Sequence, residues 1–190
     1  VNLEGLQTLE GKTFHWEGRY EGDMNEAITL DTQLNVFQHF NPTLPETYKN
    51  SSYVFLANID PVLQMQVLDQ VNNPKLVGVD TMNFWIDSKL DDLKQVLKRV
   101  DVLLINEGEA RALTGIWNGV AAAQKLSDMG PKAVVIKRGE YGFILYTEGQ
   151  YFILPAYPII DVVDPTGAGD TFAGGFFGYL AKMDNGLTLE

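Results

Sequence analysis

From Ser52 onward, short apolar runs alternate with segments whose apolar residues recur at helical spacing, and this alternation limits the possible folds most. Apolar side chains at steps of four and three between Ile86 and Val100 predict a helix. Because a helix between successive strands makes those strands parallel, we expect an α/β three-layer sandwich with a mainly parallel central sheet. The runs that predict its buried strands are 53–57, 76–79, 102–105 and 133–136.

Other segments of this region are predicted from turn residues and helix-start signals. A proline suits the first turn of a helix, and a Glu-Gly pair between two strand-like runs indicates a hairpin turn. The remaining predicted elements are helices at 61–71, from Glu107, at 120–129 and at 169–182, a hairpin of 143–146 with 151–154, and a strand at 159–163.

The first forty residues have a different pattern. Between residues 12 and 36, apolar and polar side chains alternate with a period of two, so that Phe14 and Trp16 share one strand face. This predicts two or three antiparallel strands with one face in water, joined by a turn at 21–23. We therefore expect a small antiparallel β lid with its connections at 1–40 and one α/β domain at 41–190.

Composition excludes several classes of protein. The 14 Lys and Arg residues against 25 Asp and Glu residues give a net charge of −11, which argues against a nucleic-acid or anionic-membrane partner. The absence of cysteine excludes disulfides, thiolate metal sites and a cysteine nucleophile. No basic leader with an apolar run and no membrane-length apolar stretch is visible, so we expect a cytoplasmic protein.

The segment 164–170, Asp-Pro-Thr-Gly-Ala-Gly-Asp, carries the clearest chemical signal. Gly167 and Gly169 permit a tight turn and close approach of a ligand to the backbone. The helix start that follows directs free N–H groups at one point, which suits a phosphate. Asp170 lies at that point and fits a general base for the nucleophile that attacks the phosphate. The alternative is that Asp170 only caps the helix and the glycines only form a turn.

Two further segments follow predicted strands at their carboxyl ends, where α/β sheets bind ligands. Asn106 and Glu109 could hold a hydrated Mg²⁺, although Asn at the N-cap with Glu three residues later is also a capping box. Lys137, Gly139 and Gly142 could contact nucleotide phosphates or ribose, although a glycine-containing hairpin turn explains them as well.

Two common phosphate-binding motifs are rejected. The dinucleotide fingerprint would need Gly or Ala at the position of Phe172, which disfavours a dinucleotide-dependent oxidoreductase. The Gly11-Lys12-Thr13 triplet resembles the end of a P-loop, but the first glycine would have to stand at Leu6, and a strand pattern follows where a helix is needed.

Taken in order along the chain, the three segments resemble the PfkB, or ribokinase-like, carbohydrate kinase family. The segment 164–170, with Ala173, Gly174 and Gly175 behind it, is similar to the C-terminal signature of that family. The resemblance covers roughly residues 53–182, and the early strands are similar to the family's β lid. It implies ATP-dependent phosphorylation of a hydroxyl group on a sugar, a nucleoside or a related small alcohol.

The resemblance also implies a role for each matched residue. It implies that Asp170 is the catalytic base and that the backbone N–H groups of Gly167, Ala168 and Gly169 form an anion hole. Other matched positions imply contacts to ATP, to Mg²⁺ through water and to a monovalent cation such as K⁺. These are Lys137, Gly139, Gly142 and Thr166 for ATP, Asn106 and Glu109 for Mg²⁺ and ATP phosphates, and Asp164 with Thr166 for K⁺.

Length separates this chain from the family. Members are longer, and the glycine-rich substrate signature of their N-terminal part has no counterpart before Lys12. We therefore expect a partial chain that lacks this signature, most of the sugar contacts and the C-terminal end. Two hypotheses stay open: a part of a small-molecule kinase, or a non-catalytic fragment or binding module of the same fold. Lid aromatics, including Tyr20, could contact substrate, pack on the body or form a lid-to-lid homodimer.

Overall fold

The structure is a computed structural model that describes residues 2–22 and 27–184. Apolar runs form strands and amphipathic segments form helices, as the sequence pattern predicts. The strands of these residues are β1 (His15–Tyr20), β2 (Ala27–Gln33), β3 (Tyr53–Leu56), β4 (Leu76–Asp80), β5 (Val102–Asn106), β6 (Ala133–Lys137), β7 (Phe143–Thr147) and β8 (Gln150–Leu154). The α-helices are α1 (Glu46–Lys49), α2 (Pro61–Leu68), α3 (Asn83–Ser88), α4 (Leu90–Leu97), α5 (Glu107–Thr114), α6 (Gly119–Ser127) and α7 (Ala168–Met183), and short 3-10 helices lie at Asn35–His39 and Gly139–Tyr141.

The central sheet has six strands in the order β3-β4-β5-β6-β7-β8. Strands β3 to β6 are parallel, because a helical connection returns the chain to the same end of the sheet each time. Strands β7 and β8 form the predicted hairpin and pair in antiparallel fashion. The predicted mainly parallel α/β fold is therefore confirmed.

Two hydrophobic clusters cover the two faces of this sheet. One cluster joins the sheet to α2, α4, α5 and α6 and includes Leu93 and Leu126, which are fully buried. The other joins the sheet to α7 through Ala173 and Phe177. A Cβ at Gly78 would lie 2.6 Å from Cε2 of Phe177, so glycine on β4 lets α7 lie close to the sheet. This contact fixes where α7 runs across the sheet.

The lid is a separate two-stranded antiparallel sheet of β1 and β2. A register shift between Glu17 and Gly18 accompanies the packing of the Trp16 ring over Gly18. The ring of Phe14 contacts Phe37 edge-on at a centroid distance of 5.8 Å. The turn predicted at 21–23 extends outside the described residues, and the division of the chain at residue 40 stays a prediction.

Three predicted elements differ from the structure. The predicted strand at 159–163 is wrong: this segment pairs with no strand among the described residues, and Ile160 and Val163 are 98% and 90% exposed. An apolar run favours a strand, but a strand forms only where its backbone finds a hydrogen-bonding partner. The helix at 86–100 is broken at Lys89, whose ammonium contacts Asp60 at 2.8 Å. Helix α2 ends at Leu68 and not at residue 71.

No helix within residues 2–22 and 27–184 has both the length and the apolar character needed to cross a membrane.

Candidate active site

The carboxyl ends of three neighbouring parallel strands meet at one edge of the sheet. Asp80, Asn106 and Lys137 are the last residues of β4, β5 and β6, and Asn106 is paired in register with Lys137. The N-terminus of α7 lies at the same edge. Together they line a cavity of about 990 Å³, which also receives residues of the lid. The structure therefore brings the three sequence motifs to one place.

The loop before α7 is held by its own hydrogen bonds. The Thr166 N–H donates to Oδ1 of Asp164 at 2.9 Å, and hydrogen bonds from Thr166 hold the pKa of the Asp164 carboxyl below its usual range. The Ala168 N–H donates to the carbonyl of Pro165 at 3.0 Å. These contacts explain Asp164 and Thr166 as loop-forming residues, and a K⁺ ion at this pair stays a prediction.

The helix start exposes backbone donors to the cavity. Gly167 is the N-cap of α7 and has a φ of +78°, a left-handed conformation that favours glycine. Since the Ala168 N–H is bound within the loop, the predicted anion hole is reduced in this conformation to the N–H groups of Gly167 and Gly169. Neither of these two N–H groups has an acceptor among the described residues.

Asp170 is the third residue of α7, and its carboxylate does not cap the helix. No hydrogen bond or ion pair joins this side chain to another residue in the described part of the chain. The side chain is exposed and lines the cavity beside the two glycine N–H groups. This arrangement leaves the carboxylate available to accept a proton from a bound hydroxyl group.

Asn106 and Glu109 form a reciprocal capping box at the start of α5. Oδ1 of Asn106 accepts from the Glu109 N–H at 2.8 Å, and Oε2 of Glu109 accepts from the Asn106 N–H at 2.9 Å. In the segments that the structure describes, no group of three acidic or histidine side chains could hold a metal ion. Mg²⁺ in nucleotide sites is usually held by one or two carboxylates, water and phosphates, and Glu109 in this cavity fits that pattern.

Lys137 forms a buried ion pair that the sequence motifs did not reveal. Its Nζ lies 2.9 Å from Oδ2 of Asp80, and the two side chains are only 17% and 7% exposed. Burial raises the pKa of the Asp80 carboxyl, and the neighbouring Lys137 ammonium opposes that rise. Asp80 directly follows the apolar run of β4. The same strand-end rule that selected Asn106 and Lys137 could therefore have found it.

Gly139 and Gly142 have structural reasons to be glycine. Both have a positive φ, and the Gly142 carbonyl accepts from the Arg138 N–H at 2.8 Å in the tight connection from β6 to β7. A Cβ on Gly142 would lie 1.9 Å from the carbonyl oxygen of Leu154. The hairpin interpretation is therefore correct for the backbone, and the connection also lines the cavity.

The lid reaches the cavity through Tyr20. Its hydroxyl lies 3.3 Å from Oγ1 of Thr166, and Ile28 of β2 lines the same cavity. Phe14 and Trp16 do not line it, and their rings pack within the lid region. Of the three lid aromatics considered from the sequence, Tyr20 is thus the one that lines the cavity.

Comparison with known proteins shows which kinases are similar to this chain in sequence. Residues 35–190 match the pfkB family carbohydrate kinase model. A cytidine kinase of Thermococcus kodakarensis is 35% identical over an alignment of 196 positions, which covers 100% of this chain and 68% of that protein. A nucleoside kinase of Methanocaldococcus jannaschii is 23% identical over 155 residues, which cover 80% of this chain and 48% of that protein.

Solved structures show the same fold. A putative ribokinase II from E. coli, in complex with ATP and Mg²⁺, superposes with a TM-score of 0.72 at 20% identity and covers 95% of this chain and 60% of its own. The chain thus spans between about half and two thirds of the relatives it matches. On its sequence match and on its fold, the chain belongs to the pfkB family of carbohydrate kinases.

Proposed function

We propose that this chain carries the phosphoryl-transfer site of an ATP-dependent kinase that phosphorylates a hydroxyl group of a nucleoside or sugar. One observation supports this proposal above the others. The Asp170 carboxylate, without a hydrogen-bond or ion-pair partner in the described residues, lies in the first turn of α7 beside the N–H groups of Gly167 and Gly169. A base and an anion-binding site are therefore adjacent.

The proposed reaction uses each of these groups once. Asp170 accepts the proton of the substrate hydroxyl, and the hydroxyl oxygen forms a bond to the γ-phosphorus of ATP. The bond between the γ-phosphorus and the bridging oxygen breaks, and ADP leaves with that oxygen. The Gly167 and Gly169 N–H groups donate to the oxygens of the transferring phosphoryl group, where negative charge develops.

ATP is proposed to lie along the strand ends, with its phosphates towards α7. Lys137, Gly139, Gly142 and Thr166 line or border this path. Bound Mg²⁺ would neutralise phosphate charge, and Glu109 with Asn106 is the proposed pair that holds it through water. The net charge of −11 does not oppose this proposal, because the local donors are backbone N–H groups, a helix terminus and Lys137.

A nucleoside is the first candidate substrate, because the cytidine kinase matches this chain over its whole length. A sugar such as ribose is the second candidate, because the ribokinase-type structure shares the fold. Tyr20 is proposed to contact the substrate, since it reaches the cavity from the lid next to the loop of Thr166.

The proposal is tested with purified protein, ATP and Mg²⁺ against a panel of cytidine, adenosine, other nucleosides and ribose. ADP release and the mass of the phosphorylated product are both measured. We expect a product that is heavier by one phosphoryl group with at least one nucleoside. ATP binding without any product would support the binding-module alternative, and no ATP binding would contradict the proposal.

A further inference from the structure

The Lys137 side chain crosses from the end of β6 to the first turn of α7. A Cβ built on Gly169 would lie 3.3 Å from Nζ of Lys137, so the ammonium lies directly against the backbone of the predicted anion hole. A residue with a side chain at position 169 would require that ammonium to shift by a few tenths of an ångström. Gly169 itself is helical and has no positive φ, so the expectation that the turn needs glycine holds for Gly167 and not for Gly169, where the missing side chain leaves space for the lysine.

Asp80 holds this ammonium in place within the cavity. The ion pair is buried, and burying two charges costs free energy that their attraction does not always recover. Next to it, Oγ1 of Thr81 is buried without a hydrogen-bond partner among the described residues, although it lies in the lining of the same cavity. A buried charged pair beside an unsatisfied hydroxyl is typical of a site built for a polar ligand.

A second Lys–Asp pair lies at the other end of β6 and is more exposed than the pair of Lys137 with Asp80. Lys132 directly precedes β6, whereas Lys137 is the last residue of that strand. The Nζ of Lys132 lies 2.7 Å from Oδ1 of Asp101. This pair is at the opposite end of the sheet, and the Lys132 side chain is 75% exposed. Two lysines at the two ends of one strand thus provide a matched comparison.

We propose that Lys137 binds the β- and γ-phosphates of ATP, and that Asp80 is the residue that positions Lys137 for this contact. The inference rests on the proposed kinase function and names the part of ATP that Lys137 recognises. An ammonium is a compact point charge, and at this position it adds to the N–H groups of the helix terminus. The combination suits the multiply charged end of the nucleotide better than its adenosine end.

Isothermal titration calorimetry with ATP, ADP and AMP in the presence of Mg²⁺ tests the phosphate contact. For Lys137→Met, we expect ATP to bind about 10- to 100-fold more weakly, since a charge-assisted hydrogen bond is lost, while AMP affinity is unchanged. Lys137→Arg should recover part of the ATP affinity. Lys132→Met, the control at the other end of β6, should bind all three nucleotides as the unmodified protein does.

Asp80 is tested through its dependence on Lys137. Asp80→Asn should change ATP affinity in the unmodified background and have no further effect in the Lys137→Met background. The double variant removes both buried charges at once, so it should fold even if one single variant does not. Circular dichroism confirms folding for every variant.

The outcomes separate the inference from the function on which it rests. If the unmodified protein binds neither ATP nor ADP, the proposed function and this inference both fail. The unmodified protein could bind ATP while Lys137→Met binds ATP equally well, or while its affinities for ATP and AMP fall by the same factor. Either result would contradict the phosphate contact alone. If Asp80→Asn changes ATP affinity by the same factor with and without Lys137, the positioning role of Asp80 is contradicted.

Discussion

At the scale of single residues, Gly142 shows how much geometry depends on one missing side chain. Its φ of +86° is in a region that side chains rarely adopt, and the carbonyl of Leu154 occupies the space of a Cβ. Gly149, in the turn between β7 and β8, has a similar φ of +75°, but a Cβ added there would meet no atom within 4 Å. Gly142 also has a ψ of −129°, outside the left-handed helical region, so it combines a strained backbone with a steric overlap.

We predict that Gly149→Ala lowers the free energy of unfolding by about 1–2 kcal/mol, the cost of a left-handed conformation. Gly142→Ala should lower it by about 1–3 kcal/mol more, because its backbone lies outside the left-handed helical region and the β8 backbone must also move. Denaturant unfolding followed by circular dichroism measures both values. Equal losses in the two variants would show that the contact with Leu154 is not rigid.

The residues of the site differ in how far the sequence predicts them. Asn106, Lys137 and Asp170 follow apolar runs within motifs that have a recognisable spacing, so their convergence was predictable. Asp80 follows a run as well, but no motif surrounds it, and its pairing with Lys137 joins residues 57 positions apart. The hydrogen bond from the Ala168 N–H to the Pro165 carbonyl depends on the conformation of the loop, which residue spacing does not specify.

At the scale of elements, helix α7 is fixed at its middle and at its C-terminal end. Phe177 packs against Gly78 of β4. At the end of the helix, Asp184 accepts a hydrogen bond from the Tyr53 hydroxyl at 2.6 Å and pairs with the Lys75 ammonium at 2.9 Å. Because the N-terminus of α7 carries the proposed anion hole and base, these distant contacts help to position the site.

Asp184 predicts a pH dependence of stability. The hydrogen bond from Tyr53, followed by that from Lys75, lowers the pKa of the Asp184 carboxyl. A carboxyl whose pKa is lowered by folding stabilises the fold above its unfolded-state pKa, and this contribution is lost as the pH falls through the folded-state pKa. We therefore expect Asp184→Asn to be less stable than the unmodified protein at neutral pH, with a difference that disappears in acid.

Denaturant unfolding at a series of pH values measures this difference. Asp128→Asn is the control, because Asp128 also ends a helix, α6, and its exposed side chain has no ion pair in the described residues. A difference for Asp184→Asn that is the same at every pH would contradict the ionic origin of the contact.

The pattern of apolar residues predicts most elements but not their interruptions. Spacing between Ile86 and Val100 is helical throughout, and the break at Lys89 coincides with a backbone conformation outside the helical region and an ion pair to Asp60. The segment 159–163 is apolar enough for a strand, yet its backbone pairs with no described strand. Local spacing reports neither the distant ion pair of Lys89 nor whether a strand partner exists for the segment 159–163.

At the scale of the whole molecule, a small sheet is placed over one edge of a larger one. The lid contributes Tyr20 and Ile28 to the cavity, while Leu30 on strand β2 does not line it and is 54% exposed. Ile28 and Leu30 are two positions apart and share one face of the lid, so this face extends from the cavity to the exposed side chain of Leu30. A second copy of the lid is one proposed partner for that face.

We predict that the protein forms a dimer through the lid and that Leu30→Lys shifts it towards the monomer. A charged side chain at the centre of an apolar contact would lose its hydration without a partner. Sedimentation velocity over a range of concentrations measures the change. Val62→Lys is the control, because Val62 on α2 is exposed to 38% and lies outside the lid. A monomer in the unmodified protein would contradict the prediction.

The most direct test of the account compares Asp170→Asn with the unmodified protein in ATP-dependent phosphorylation of the best substrate from the nucleoside and sugar panel. We predict that kcat falls by about 10²- to 10⁴-fold, the usual contribution of a general base, while ATP affinity is unchanged. Asp161→Asn, in the exposed segment before the same loop, should keep full activity. Unchanged turnover in Asp170→Asn would contradict the assignment of Asp170 as the base and, with it, the proposed mechanism.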